Sequence, residues 1–516
     1  MTMAGFIVKI LGALYRIPLA NLIKDEGMGL YQMAYPIYTT LLAISTAGFP
    51  TAVSKLVSER LALKDQEGAY AIFKQALLIL FVMGLTASSI LFIFAKVIAE
   101  SVLVNPKAYY SLIAVSPALT LVALMGAFRG YFQGMQIMYP TAVSQIVEQA
   151  VRVVFVLLLA YLLMPYGVEY AAAGASAGAA IGALFGLLFL LTIYVFKRKS
   201  LISGFRRKNV DGIGIIKRLI MYAIPVTLGS LVVPLGNLAD AAIVPLRLKS
   251  IGLDVKTATE LFGILTGEAA PLVNFPSIVT VAIATSLLPA ISESHALGDY
   301  KSLNAKAVLA IKATLMIGLP AAAGLGLLST PIMHMLFGEE KGGSVLAILS
   351  FSIIFLTLIQ TLTSILQGIG RVTLPVINLA IGGAVKITLN FILTGIAFFN
   401  IRGAATATVM GYLVTCLLDF LCVRRCIQLR IDFKDDILKP LLSTIIMLIS
   451  VALSYNAIYF IANSISKSTL LSIIVGVIVY SLSLIITGTI KKDEMELLPG
   501  GRRLYRLLRK LKIIGG

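Results

Sequence analysis

The sequence predicts an all-α polytopic membrane protein with fourteen transmembrane helices. Of its 516 residues, 59% are hydrophobic and only 13% are charged, whereas soluble domains average about 25% charged residues. Fourteen apolar runs each approach the roughly 20 residues that a helix needs to cross the hydrocarbon core. Basic residues collect in alternate loops between these runs, as expected for a protein threaded through a membrane.

The apolar runs follow one another along nearly the whole chain. None has the alternation of polar and apolar residues that is typical of an outer-membrane β-barrel, so each run is predicted to be a helix. The predicted spans are 3–22, 29–54, 75–99, 108–132, 140–164, 171–196, 219–245, 271–291, 307–329, 344–366, 375–398, 403–423, 437–462 and 469–490.

The loops provide an independent check on the number of spans. With the N-terminus inside, the loops on the cytoplasmic side contain 28 Lys and Arg residues, and the outer loops contain 8. One missed helix would exchange the sides of half the loops and remove this asymmetry. We therefore expect both termini in the cytoplasm. The excess of 43 Lys+Arg over 24 Asp+Glu then reflects membrane topology rather than nucleic-acid binding.

The chain contains an internal repeat with an offset of 234 residues. The matching pairs are Ser58-Glu59 with Ser292-Glu293, Gln133-Gly134 with Gln367-Gly368, and Val151-Arg152 with Val385-Lys386. Each repeat contains six spans, and an even number returns the chain to the same side. The two lobes are therefore predicted to be parallel and related by an axis along the membrane normal.

The repeat defines the predicted domains. Two such lobes favour transport by alternating access, in which a central cleft opens to one side of the membrane at a time. The C-terminal tail is predicted to be an amphipathic helix that is attracted to anionic lipid. The domains are an N-lobe at 1–196, a basic cytoplasmic linker at 197–218, a C-lobe at 219–423, helices thirteen and fourteen at 424–490, and the cytoplasmic tail at 491–516.

Motifs for catalysis, metal binding or nucleotide binding are not found in the sequence. It has no HExxH, GxxxxGK[ST] or GxSxG pattern. Cys416, Cys422 and Cys426 form no CxxC pair, and His295 and His334 are far apart. We expect no catalytic residues, no metal and no cofactor, and therefore a protein that is not an enzyme.

Three segments resemble a known family. They are EGMGLYQMAYPIYTTLLAISTAGFPTAVSKLVSE at 26–59, RGYFQGMQIMYPTAVSQIVEQAVRV at 129–153 and LLPAISE at 287–293. They are similar to the group of stage V sporulation protein B, which belongs with the MurJ lipid II flippases in the multidrug/oligosaccharidyl-lipid/polysaccharide (MOP) exporter superfamily. The resemblance implies a V-shaped, MATE-like transporter in the bacterial plasma membrane. It also implies flipping of an undecaprenyl-diphosphate-linked sugar, with the peptidoglycan precursor lipid II as the first candidate.

Charged residues inside the first lobe are candidates for substrate binding, because a charge at the membrane centre costs about 2.5–3.5 kcal/mol to insert. Lys9 and Arg16 lie seven residues apart on the first span, and the resemblance implies cavity-facing cations there. They either bind the substrate diphosphate or snorkel to the membrane faces. Glu148 and Arg152 are four residues apart. They either neutralise each other or face the cavity with the substrate.

In the second lobe, Lys386 stands at the repeat position of Arg152 and has no acidic residue four positions before it. We predict that it pairs with Asp240 on the seventh span, and that Asn390 and Thr406 complete this polar cluster as a coupling or structural ion pair. Some members of the resembled family bind a sodium ion in the second lobe. The Lys386 ammonium group would then take the place of that ion.

The second and eighth spans lack the arginines that lipid II flippases carry there, which keeps other functions open. The alternatives are an exporter of another lipid-linked polysaccharide unit and an ion-coupled multidrug antiporter of the same superfamily. A membrane glycosyltransferase and a non-transporting scaffold for division or sporulation are also considered, but the outer loop 246–270 has no catalytic motif. The expected partners are the lipid-linked sugar diphosphate, membrane lipids and a coupling H⁺ or Na⁺, without nucleic acid, for a monomeric chain.

Overall fold

The computed structural model describes residues 2–202, 212–427, 429 and 431–489. Every regular element in these ranges is helical, and thirteen helical stretches are long and apolar enough to cross a membrane. The predicted class, an all-α polytopic membrane protein, is confirmed. The predicted amphipathic tail at 491–516 and residues 203–211 of the basic linker lie outside the described residues.

The thirteen stretches overlap all fourteen predicted spans. The first, Ala4–Ala62, is 59 residues long and contains the first two predicted spans. At about 1.5 Å per residue its length is nearly 90 Å, roughly three times the thickness of the hydrocarbon core. The chain also kinks inside it, because Lys24 adopts a non-helical conformation with a positive φ (φ 57°, ψ −177°). This stretch is therefore long enough for two crossings.

The helices group into two compact units. The first unit is Met1–Glu268 with Ile387–Ala404, and the second is Ala269–Lys386 with Ala405–Gly516. The first unit thus includes the seventh predicted span, which the repeat assigns to the C-lobe. The two units are defined by packing, whereas the predicted lobes are defined by the sequence repeat. The predicted lobe boundaries therefore stay a prediction.

Nine α-helices lie wholly in the first unit, within the described residues. They are α1 (Thr2–Leu14), α2 (Arg16–Thr46), α3 (Phe49–Ala62), α4 (Gln66–Val97), α5 (Ala108–Gly134), α6 (Tyr139–Leu163), α7 (Val168–Ile202), α8 (Gly212–Ser250) and α9 (Val255–Gly263). Their core is apolar and contains Phe73, whose ring stacks on Tyr131 with 4.4 Å between centroids. Close packing of such aromatic and aliphatic side chains between helices stabilises the unit.

The second unit begins with a short helix and continues with longer ones. They are α10 (Ala270–Asn274), α11 (Ser277–Ala296), α12 (Tyr300–Leu327), α13 (Ser329–Phe337), α14 (Gly343–Ser350), α15 (Ser352–Gly368), α16 (Thr373–Thr394), α17 (Ile401–Ile427), α18 (Lys439–Ala462) and α19 (Ile465–Ile486). The last part of α16 and the first residues of α17 belong to the first unit.

The 234-residue repeat is visible in local backbone geometry. Asp65 caps α4 by accepting a hydrogen bond from the Gly68 amide, and Asp299 caps α12 by accepting one from the Ser302 amide. The φ and ψ angles of the two caps are −91° and 77° in one case and −85° and 78° in the other. Such caps satisfy amide groups that a helix start leaves without partners.

Glycines repeat in the same way at the end of the fourth span of each repeat. A Cβ atom at Gly134 would collide with Val57 on α3, and one at Gly368 would collide with Ile291 on α11. Both contacts are again related by 234 positions, so the repeat preserves a close helix approach that small residues permit.

A small-residue ladder brings α7 very close to α6. A Cβ atom at Gly178 would lie 2.5 Å from the Val156 side chain, and one at Gly182 would lie 2.7 Å from the Glu148 carbonyl oxygen. In the second unit, Gly411 of α17 packs in the same manner against Lys386 of α16. Glycine therefore sets the position of the helices that carry Glu148, Arg152 and Lys386.

Helix α9 fixes the part of α2 that follows Lys24. Gly29 of α2 lies against the backbone of Thr259 in α9, and Asn105 donates a buried hydrogen bond of 2.8 Å to the Thr259 hydroxyl. Nearby, Lys107 forms a 2.8 Å ion pair with Glu26. The hydrogen bond from Lys107 to Glu26 raises the pKa of the Lys107 ammonium group.

Candidate substrate site

The candidate site lies in the first unit, where α1 and the start of α2 pack near α6. Helix α1 ends at Leu14 and α2 begins at Arg16, but Tyr15 between them keeps helical angles (φ −69°, ψ −18°). A Cβ atom at Gly12 would lie 3.3 Å from the Gln149 side-chain nitrogen on α6. The absent side chain of Gly12 therefore allows α1 to approach α6.

Four tyrosines and two arginines form what we call the arginine–tyrosine cluster. Its members are Tyr15, Arg16, Tyr31, Tyr35, Tyr38 and Arg152. The cluster draws on α2, on α6 and on the single residue that joins α1 to α2. All six residues lie within helical stretches that are apolar enough to span a membrane.

The two guanidinium groups of the cluster share phenol neighbours. Arg16 interacts electrostatically with Tyr15, Tyr31 and Tyr35, and Arg152 does so with Tyr15, Tyr35 and Tyr38. The hydroxyl oxygens of Tyr15 and Tyr31 are 2.9 Å apart. Arg16 and Arg152, which are 136 positions apart in the sequence, are therefore brought to one group of phenol side chains.

Each of these arginines keeps an unused donor. The Nε atoms of Arg16 and Arg152 are buried and have no hydrogen-bond partner among the described residues. A buried donor without a partner costs about 1–3 kcal/mol, and nearly all buried polar groups in proteins are paired. Two such donors beside the same tyrosines are suited to an anionic ligand, because guanidinium groups bind phosphate oxygens through directed N–H groups.

Glu148 forms a second layer next to the cluster. One carboxylate oxygen accepts from Arg152 at 3.0 Å, and the other accepts from Arg129 of α5 at 2.9 Å. All three side chains are 14–15% exposed. Arg129 also donates to the Ser144 hydroxyl at 3.1 Å. The predicted Glu148–Arg152 pair is present, and Arg129 extends it across two helices.

Lys9 stands apart from this arrangement. Its side chain is exposed on α1, and no ion pair or hydrogen bond to it is found within the part of the chain that the structure describes. The structure therefore brings together Arg16, Arg152 and Glu148, but not Lys9, among the four residues predicted to bind the substrate.

The second predicted cluster is partly assembled within the first unit. Asn390 of α16 donates a 2.9 Å hydrogen bond to the Asp240 carboxylate of α8. The Thr394 hydroxyl, one helical turn further, donates to the Asn390 side-chain oxygen at 2.7 Å. Thr394, Asn390 and Asp240 are thus linked in that order by two hydrogen bonds. The Asp240–Lys386 pair and the contribution of Thr406 stay predictions.

Arg129 and the tyrosines of α2 are the site residues that sequence reasoning missed. Arg129 lies next to the cytoplasmic turn that follows the fourth predicted span, where the positive-inside rule already accounts for a basic residue. The signal for the tyrosines was their spacing, because Tyr31, Tyr35 and Tyr38 recur after four and three residues and so share one helical face. All three tyrosines lie within the segment 26–59 that carries the family resemblance.

Metal chemistry has no candidate site in the described ranges. No group of three or more His, Cys, Asp or Glu residues is close enough to hold a metal ion there. The three cysteines are free, with Cys416 buried and Cys426 exposed.

Comparisons with known proteins agree with this architecture. A family model described as "Polysaccharide biosynthesis protein" matches residues 1–295, and one described as MatE matches residues 267–392. Stage V sporulation protein B of Bacillus subtilis (strain 168) is 30% identical over 497 residues, which covers 96% of each chain. Lipid II flippase MurJ of the same organism is 31% identical over 445 residues, which covers 82% of this chain and 81% of that protein.

Solved structures share the fold at low sequence identity. Lipid II flippase MurJ in an inward closed conformation has a TM-score of 0.69 at 17% identity, over 94% of this chain and 98% of that one. An inward-facing multidrug resistance MATE family transporter of the MOP superfamily has a TM-score of 0.66 at 16% identity, over 81% of this chain and 94% of that one. At such identities these likenesses concern the fold.

Proposed function

Because this multi-pass membrane protein belongs to the polysaccharide biosynthesis protein family of the MOP exporter superfamily, we propose that it is a lipid-linked sugar flippase. Its substrate is an undecaprenyl-diphosphate-linked sugar, which it moves from the inner to the outer leaflet of the bacterial plasma membrane. The prenyl chain stays in the lipid while the diphosphate and the sugar pass through the protein by alternating access.

The observation that carries this proposal is the pair of unused guanidinium donors in the arginine–tyrosine cluster. The buried Nε atoms of Arg16 and Arg152 lie beside phenol groups of the same tyrosines. Together with Arg129 and Glu148, this region has three positive groups and one negative group. A net positive, partly dehydrated site is what a diphosphate requires, and a cationic drug would be repelled from it.

Lipid II is the first candidate for the substrate. The support is the 31% identity to a protein named lipid II flippase MurJ. Another lipid-linked polysaccharide unit is the second candidate, and the family description favours it. A third candidate is a multidrug antiporter, which the match to the MatE family model supports. The positive charge of the cluster disfavours it, because that charge would repel a cationic drug.

The driving force is an ion gradient or the membrane potential, because the sequence carries no nucleotide-binding motif. The proposed coupling or structural ion pair is the cluster of Asp240, Lys386, Asn390 and Thr406, and the coupling ion is H⁺ or Na⁺. The protein works as a monomer with both termini in the cytoplasm. It performs no catalysis and needs no cofactor.

The test is complementation of a strain depleted of its lipid II flippase. We expect the wild-type chain to restore growth, and Arg16→Ala and Arg152→Ala to abolish rescue at matched membrane expression, because each removes a buried donor that the diphosphate needs. Lys9→Ala should reduce rescue much less, because Lys9 is exposed and lies outside the cluster.

Arg218→Ala is the matched control. Arg218 lies in the same unit and forms a 2.9 Å ion pair with Glu59, but both side chains are more than a third exposed, and such pairs contribute about 0–1 kcal/mol. It should rescue like the wild type. Full rescue by both cluster variants would refute the substrate site. Failure of a well-expressed wild type would move the proposal from lipid II to another lipid-linked sugar.

A further inference from the structure

Glu148 holds its two arginines in the way that a phosphate group would. Its two oxygens accept one hydrogen bond each, from Arg152 at 3.0 Å and from Arg129 at 2.9 Å. Two oxygens of one phosphate present the same pair of acceptors to guanidinium groups. Because the three side chains are only 14–15% exposed, water screens these charges weakly.

The consequence is competition for Arg152. One of its two terminal nitrogens, Nη2, already donates a hydrogen bond to Glu148. Its Nε atom is buried and has no hydrogen-bond partner among the described residues. A diphosphate that binds at the cluster can leave the Glu148–Arg152 hydrogen bond in place and accept a hydrogen bond from Nε only. Alternatively, it displaces Glu148 and accepts hydrogen bonds from both Nε and Nη2. Either way, the negative charge of Glu148 opposes the arrival of a second anion.

We propose that Glu148 is a built-in competitor for the substrate diphosphate, and that it sets the affinity of the site by claiming Arg152 whenever the diphosphate leaves. This inference rests on the proposed function. A flippase must release its substrate on the far side of the membrane, and a carboxylate that reclaims the guanidinium group favours that release.

Arg129 positions Glu148 for this competition with the diphosphate. It is anchored on one side by the Ser144 hydroxyl at 3.1 Å and on the other by Glu148 at 2.9 Å. Arg129 therefore acts on the substrate through Glu148, by holding the carboxylate where it reaches Arg152.

The experiment measures binding of farnesyl diphosphate to the purified full-length chain by calorimetry. We expect Glu148→Gln to bind at least about tenfold more tightly than the wild type, because close charge pairs couple by at least about 1.4 kcal/mol. We expect Arg129→Gln to tighten binding in the wild-type background, because Glu148 is then held less firmly at Arg152. In the Glu148→Gln background it should change affinity by less than about twofold, as double-mutant cycles show for a residue that acts through its partner.

Two control variants remove the same charges from an exposed pair. Glu59→Gln and Arg218→Gln break the pair between α3 and α8 and should leave the affinity for farnesyl diphosphate unchanged. If Glu148→Gln lowers the melting temperature too far to be measured, Glu148→Asp replaces it. The aspartate is one methylene shorter and cannot reach both arginines, so it should also bind more tightly than the wild type.

Unchanged or weaker binding by both Glu148 variants would overturn the inference, and so would an equal loss from Arg129→Gln in both backgrounds. Failure of the proposed function gives a different pattern. If Arg16→Ala and Arg152→Ala bind farnesyl diphosphate like the wild type, the substrate site itself is wrong. If those two variants lose binding while Glu148→Gln gains nothing, only the competitor role is wrong.

Discussion

At the scale of single residues, the cluster depends on a property of arginine that lysine does not share. A guanidinium group has five N–H donors in a rigid plane, so one of them can bind Glu148 while another stays directed elsewhere. Arg152 does this, with its outer nitrogen on Glu148 and its Nε buried without a partner. An ammonium group directs its three N–H donors from a single nitrogen and lacks the fixed planar arrangement that separates the donors of a guanidinium group.

Arg16→Lys tests this property directly. The charge stays, but the directed Nε donor is lost, so we expect affinity for farnesyl diphosphate to fall by about tenfold, the value of one hydrogen bond to a charged group. Calorimetry on the purified chain measures it, with Arg218→Lys as the control for the same exchange at an exposed pair. Wild-type affinity in Arg16→Lys would mean that only the charge matters.

At the scale of helices, the glycine ladder of α7 determines where α6 lies. Gly182 leaves no space for a Cβ atom, because the Glu148 carbonyl oxygen would be 2.7 Å away and the Arg152 Cβ 2.9 Å away. The backbone of α6 is thus supported directly behind the two residues that face the cluster. Such close approaches between membrane helices are made by small residues, because apolar burial gives little drive for association in lipid.

Gly182→Ala should destabilise the protein and weaken the site at the same time. The added methyl group forces α6 away, and overpacking of this kind costs about 1–3 kcal/mol. We expect a lower melting temperature and weaker binding of farnesyl diphosphate.

Gly229→Ala on α8 is the control, since a Cβ atom there meets nothing within 4 Å. Its melting temperature should equal or exceed that of the wild type, because alanine favours helices over glycine by up to about 1 kcal/mol. Equal melting temperatures for the two variants would contradict this account.

At the scale of the whole molecule, loop charge and span count predict an orientation. Cytoplasmic loops contain 28 basic residues and outer loops 8 when the N-terminus is inside. Residue Lys249 is then on the outer side, and Tyr300 is on the cytoplasmic side, with the span Ser277–Ala296 between them.

Cysteine labelling in whole cells checks this orientation. In a variant in which Cys416, Cys422 and Cys426 are replaced by serine, Lys249→Cys should react with a membrane-impermeant maleimide added outside. Tyr300→Cys should react only after the cells are opened. Both positions are exposed on the protein, so accessibility is limited by the membrane. Labelling of both from outside would contradict the predicted topology.

Features that depend on neighbours in sequence were predictable. Hydropathy over about 20 residues gives helices that span the membrane, because the hydrocarbon thickness fixes their length. The Glu148–Arg152 pair was also predictable, since residues four apart meet on a helix. The prediction that Asp240 and Asn390 share one polar cluster was made because the Lys386 charge needs a partner in the membrane, and a hydrogen bond joins these two residues, which are 150 positions apart.

The tertiary structure decided which groups meet across helices. Arg129 reaches Glu148 from α5 and the tyrosines reach Arg16 and Arg152 from α2, while Lys9 lies outside the cluster although its spacing from Arg16 suggested a shared face. Thr394 donates a hydrogen bond to Asn390, a contact that no sequence pattern indicates. Sequence periodicity specifies which face of a helix a residue occupies, but the partner of that face depends on close packing at residues such as Gly12 and Gly182, whose missing side chains allow one helix to approach another.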